Sequence, residues 1–138
     1  MANAIYDKYK EALLKGDSDV ALDDGNLKVV LLNTDNEAYQ STDQFYSDVS
    51  TLANTVTATA TLANVSLTNG VLNCDDVDFG VVEDITECEA LLFYIDTGNT
   101  VTSRLVAYMD TNIDGLPITP DGTSNVEITW STSGIFKL

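Results

Sequence analysis

The stretch from Glu87 to Asp110, ECEALLFYIDTGNTVTSRLVAYMD, limits the folds open to this chain more than any other. Its first half is apolar on both alternating sets: Leu91, Phe93 and Ile95 on one, Ala90, Leu92 and Tyr94 on the other. A strand apolar on both faces needs cover on both, which puts it at the centre of a sheet. In the second half Val101, Leu105, Ala107 and Met109 share one face. Arg104, Val106, Tyr108 and Asp110 form a mixed face of the kind that meets solvent or a partner. Thr97-Gly98-Asn99-Thr100 supplies the turn chemistry between them. This hairpin indicates a fold class and carries no reactive chemistry.

The flanking sequence extends the same pattern. Asn3 to Leu14 has Ile5, Tyr9, Ala12 and Leu13 at helical spacing, with Asn3 as a cap and Gly16 as a terminator. Such a helix either packs over one end of a sheet or serves as an arm, separable from the β-domain, that docks on a neighbouring subunit. Leu27 to Asn33 is a strand, Thr34 to Ala38 a loop, and Thr42 to Asp48 a short helical turn. The alternation from Thr55 to Thr61 is a β pattern of small side chains, and Asn69-Gly70 is a hairpin turn followed by Val71 to Cys74. Val77 to Val82 adds a short strand. Asn112 to Gly122 is a loop holding both prolines, and Val126 to Trp130 with Ile135 to Leu138 form a last hairpin. Asn33-Thr34, Asp96-Thr97 and Asp110-Thr111 each close a strand with local turn chemistry. The sum is roughly seven to nine strands with no βαβ rhythm. The expected fold is mainly β, a β-sandwich or jelly-roll-like domain with an N-terminal amphipathic helix. Residues 1–138 form one domain, with the helix or arm in 1–16 and the sandwich in 27–138.

Charge narrows the function. The chain carries a formal −16 and no histidine, and residues 29–138 hold 16 acids against Arg104 and Lys137 alone. Such a surface repels nucleic acid and anionic membrane. It suits solubility in salty surroundings, or a basic partner. The longest apolar run, Ala90 to Ile95, is far short of the ~20 residues of a membrane span, and the first residues lack the features of a secretory signal. Cys74 and Cys88, with 13 residues between them, read as buried free thiols, with a disulfide as the alternative.

Chemistry is sparse. Without histidine there is no nucleophile–histidine pair and no Cys/His zinc site. Acid pairs (Asp23-Asp24, Asp75-Asp76-Asp78, Glu83-Asp84, Glu87-Glu89) are too many for any one to point to a two-carboxylate hydrolase. Asp110, Asn112, Asp114 and Asp121 imitate a calcium loop, but Asp121 stands where a bidentate Glu belongs, and Pro117 and Pro120 stiffen it. A solvated turn is the expectation. No catalytic residue, metal or cofactor is expected. Trp130 is expected in the core, with sugar stacking as the alternative.

In their order along the chain, several segments resemble small virion structural proteins of tailed bacteriophages. These are Met1-Ala-Asn-Ala-Ile-Tyr-Asp7, Val29 to Thr34, Asn69-Gly70-Val71, Asp75-Asp76-Val77-x-Phe79, and Glu89-Ala90-Leu91 leading to Tyr94-x-Asp96-Thr97-Gly98. Ser103-x-Leu105-x-Ala107-Tyr108-x-Asp110-Thr111, Gly115-Leu116-Pro117-x-Thr119-Pro120-x-Gly122 and the ending Trp130 to Leu138 continue the likeness over nearly the whole chain. It departs at Cys74, Cys88 and the Asp110–Gly115 loop. The resemblance implies a capsid cement or decoration protein on the outer surface of the virion, assembled in the host cytoplasm. It would contact the major capsid protein and itself, as a homodimer or homotrimer. The expected contacts are Ile5, Tyr9 and Leu13, Leu116 and Pro117 in the long loop, and Phe136. The alternative is a tail or baseplate component with a sugar-binding β-sandwich, using Tyr39, Tyr46 or Trp130 as an aromatic platform.

Overall fold

The computed structural model describes residues 3–35, 39–50, 56–83 and 86–138. Residues 36–38 of the expected loop, Thr55 of the alternating run, and Asp84 lie outside these. The chain is mainly β. A five-stranded antiparallel sheet is built from β1 (Ala4–Ile5), β2 (Leu27–Leu32), β3 (Val56–Thr61), β7 (Ala90–Ile95) and β8 (Leu105–Met109), in the order β1-β8-β7-β2-β3. A three-stranded sheet pairs β4 (Ser66–Thr68), β5 (Val71–Asn73) and β10 (Phe136–Lys137) in the order β10-β5-β4. A two-stranded sheet pairs β6 (Val77–Val81) with β9 (Asn125–Ile128). Two helices, α1 (Asp7–Lys15) and the single turn α2 (Ser47–Ser50), complete the described elements.

The central strand is where its two apolar faces require it. β7 lies between β2 and β8 and all six of its residues are buried. On one face Phe93 meets Trp130 and Phe136, at ring-centroid distances of 5.8 and 6.2 Å, so the smaller sheets cover this side in a sandwich-like arrangement. On the other face Tyr94 stacks on Tyr46 at 4.0 Å, and Tyr108 meets Tyr39 at 6.2 Å. The segment 39–50 therefore covers that side. The mixed face expected of β8 is not solvated: Val106 and Tyr108 are buried beneath this cover. Val101 is not in the strand; it sits exposed in the connecting turn, where the Asp96 carboxylate and the Ser103 hydroxyl accept the N–H groups of Gly98 and Thr97. The helical turn expected at Thr42 to Asp48 falls later, at Ser47–Ser50, with Asp48 Oδ2 accepting the N–H groups of Gln44 and Phe45.

The N-terminus differs from expectation in a way that matters for function. Residues 4 and 5 are a strand on β8, so Ile5 is not on the helix. Asn3 caps no helix: its Oδ1 accepts the N–H groups of Asp110 and Thr111, and its Nδ2 donates to the Thr111 carbonyl. The end of β8 is thereby clamped to the start of the chain. The helix begins after Tyr6 and ends, as expected, at Gly16, whose left-handed φ of 69° lets its N–H turn back to Leu13. Tyr6 and Tyr9 are buried in the same core as the sheet, and Ala12 is buried as well. The helix is an integral part of the domain, and the separable-arm expectation is corrected accordingly.

The last hairpin is also corrected. β9 and β10 follow each other in sequence but do not pair; β9 joins β6 and β10 joins β5. The Asn69-Gly70 hairpin is present, both residues having positive φ (55° and 78°), as a tight primed turn requires.

Candidate interaction site

The register across the three-stranded sheet places Leu67 opposite Leu72 and Leu72 opposite Phe136. These three form one cross-strand row. Facing it are Tyr9 and Leu13 of α1 and the segment Val20–Asp23, and the space between is an apolar groove of about 370 Å³. Gly70 and Leu138 complete its lining. The Tyr9 hydroxyl donates to the Val20 carbonyl at 2.7 Å, which ties the wall of the groove to the helix. Burial pushes the Tyr9 phenol up to about 12. Leu13, Leu67 and Leu138 remain exposed around the opening, and Leu14 beside them is 90% exposed.

Three expected contact residues, Tyr9, Leu13 and Phe136, meet in this groove. Ile5 lines a neighbouring hollow of about 310 Å³ with Ala107, Met109 and the other side of Phe136. Leu116 and Pro117 line neither hollow. They belong to the long loop, which is held by mutual backbone hydrogen bonds between Cys88 and Ile118 and by Asp114 pairing with Thr129. Leu67, Leu72, Val20 and Leu22 were not anticipated as site residues. The hairpin turn at Asn69-Gly70 pointed to Leu67 and Leu72 facing each other, but nothing in the sequence placed Phe136 beside them.

The other candidates resolve into structural roles. Trp130 is 8% exposed, its Nε1 donates to the Asp75 carbonyl and its ring packs on Phe93. Tyr46 is stacked on Tyr94, and Tyr39 packs between Tyr6 and Tyr108, so each ring of the expected aromatic platform is engaged within the fold. Among the acids, Asp76 accepts the Trp130 N–H, Asp75 accepts from Asn64, Asp78 accepts from Gly80 and Asn125, and Glu89 accepts both the N–H and hydroxyl of Thr34. Asp121 accepts the N–H groups of Ser124 and Thr123, which hold its carboxyl down at about 2. Among the described residues no three metal-ligating side chains of the His, Cys, Asp or Glu type converge. Both cysteines are free thiols, Cys88 buried and Cys74 half-buried; burial above all pushes the Cys74 thiol up to about 11. No helix among the described residues is long and apolar enough to cross a membrane.

The six basic residues are unevenly used. Lys8 pairs with Glu11, Lys10 with Asp7, Lys28 with Asp96 and Arg104 with Asp17. Lys15 and Lys137, which follow Leu13 and Phe136 closely in sequence, make no ion pair among the described residues. The groove therefore has Asp23 in its lining and two lysines without ion-pair partners close in sequence to its walls, on a chain of net charge −16. No protein-family profile, curated protein sequence or solved structure matches the chain.

Proposed function

We propose that the chain is a non-enzymatic structural protein of a virion, acting as a capsid cement or decoration protein. In this reading it sits on the outer surface of the shell, bridges major-capsid subunits, and works as a homodimer or homotrimer. The observation that carries the reading is the apolar groove at the helix end of the domain, which gathers Tyr9, Leu13 and Phe136 beside exposed leucines on an otherwise acidic molecule. An exposed apolar patch on a charged surface marks a contact with another protein. The acidic remainder favours the outside of the shell, because a face turned toward packaged nucleic acid would be repelled by it. The segment-by-segment resemblance to small phage virion proteins supports the same reading.

The mechanism is linkage. A protein that binds the assembled lattice and not loose subunits stabilises the lattice by mass action. Many copies acting together let modest individual interfaces hold a shell under pressure. The test is to add purified protein to expanded capsids that lack it. Saturable binding with a raised capsid-disruption temperature is expected. Absence of binding, with the protein confined to tail fractions and retained on glycans, would replace this reading with host attachment.

A further inference from the structure

The groove is open on one side, and that side is a free strand edge. The Leu72 carbonyl accepts the Ile135 N–H at 2.7 Å, and the Gly70 carbonyl accepts the Leu138 N–H at 2.9 Å. This phase of β5 therefore faces β10. In an antiparallel sheet the next residues, Val71 and Asn73, then face β4, where they oppose Thr68 and Ser66. It follows that the backbone N–H and C=O of Leu67 point away from the sheet. β4 is the outermost strand, and Ser66, Leu67 and Thr68 are all exposed. Val65-Ser66-Leu67-Thr68 has no lysine, no proline and no other charge, so the edge is guarded only by the shortness of β4. An added strand would extend the row Leu67–Leu72–Phe136 by one side chain, at the open end of the groove.

The rim adds a charge preference. Lys15 ends α1, which carries three lysines against two acids. The Lys137 stem lies over the turn, within 4 Å of where a side chain at Gly70 would start. Neither ammonium group has an ion-pair partner among the described residues. An occupant that presents carboxylates near these two lysines, clear of Asp23 on the facing wall, is attracted there.

We propose that the β4 edge binds an extended segment of the major capsid subunit by strand addition, the segment setting an apolar side chain beside Leu67 and carboxylates toward Lys15 and Lys137. The proposal rests on the cement reading above and names the partner's chemistry and the bonds it makes. Main-chain hydrogen bonds to Leu67 supply affinity, and the side chain entering the groove supplies selectivity.

The experiment measures binding of the full chain to expanded shells for the wild type, Leu67→Glu, Leu67→Lys and the double variant Lys15→Glu/Lys137→Glu. Thermal melting confirms that each is folded, and sedimentation of each protein alone reports self-association. Leu67→Glu is expected to weaken binding by about tenfold or more with an unchanged melting temperature, since Leu67 is already exposed. Leu67→Lys should bind more tightly than Leu67→Glu, and the double lysine variant should bind weakly and lose salt dependence. Wild-type binding by Leu67→Glu overturns the proposal. So does a dimer of the protein alone that Leu67→Glu abolishes, because the edge would then belong to a second copy. Failure of the wild type to bind shells at all removes the cement reading itself, before any substitution is compared.

Discussion

Replacing Tyr9 separates a helix that belongs to the core from a helix that serves as a detachable arm. The ring is 2% exposed. A tyrosine buries about 150–250 Å², which at about 25 cal/mol/Å² is worth about 4–6 kcal/mol. Compactness of the unfolded chain trims that by roughly 10–40%, to about 3–5 kcal/mol, in the range measured when large aromatic side chains are cut back to alanine in cores. Unfolding entropy of about 2.1 cal/mol/K per residue gives roughly 290 cal/mol/K for this chain, so Tyr9→Ala should lower Tm by about 10–17 °C. Tyr9→Phe keeps the ring and removes only the 2.7 Å hydrogen bond to the Val20 carbonyl. That change should cost about 0.5–1.5 kcal/mol, or about 2–5 °C. Calorimetry and urea melts measure both. A Tyr9→Ala protein that melts within about 3 °C of wild type would refute the packed-helix account.

Two further outcomes follow from the same core. Burial pushes the phenol of Tyr9 up to about 12 and raises those of Tyr94 and Tyr108 as well. An unfolded tyrosine ionises near 10. The stability these groups contribute is therefore fully present below pH 10 and is lost as pH rises through 12. The urea midpoint should fall over that interval, less steeply in Tyr9→Phe, and a flat profile would contradict it. Gly115→Ala should destabilise by more than about 1 kcal/mol because φ is +109° and the new Cβ would stand 2.6 Å from the Glu127 carbonyl. A urea midpoint unchanged from wild type would show that the long loop is not seated against β9.

The parts of this fold that the sequence disclosed are those governed by one strand or one turn. β7 announced its central place because both of its alternating sets are apolar, a pattern only two covering layers satisfy. Asn69-Gly70 announced a hairpin, and Asn33 and Asp96 announced local turns, which their side chains make by accepting the N–H groups of Asp35 and Gly98. Partner choice was not disclosed. Alternation fixes which face of a strand is buried but not which strand lies beside it, so β9 and β10 read as a hairpin when each joins an earlier strand. Asn3 misled for a related reason. The same short amide that caps a helix also satisfies strand-end N–H groups, and only the return of β8 to residue 4 decides between the two. The groove inherits this blindness. The sequence presents Tyr9, Leu13 and Phe136 only one by one, whereas their convergence depends on the pairing of β5 with β10.

That pairing also sets an order of events during synthesis. The five-stranded sheet spans residues 4 to 109, so every strand it needs exists once β8 has been made. The layer over Phe93 cannot close then, because β5 and β6 wait for β10 and β9. A nascent chain with only its first 110 residues clear of the ribosome would hold a finished inner sheet with one oily face uncovered. Contacts between residues so far apart in sequence form slowly, which makes this interval the point at which the growing chain is most prone to stick to its neighbours.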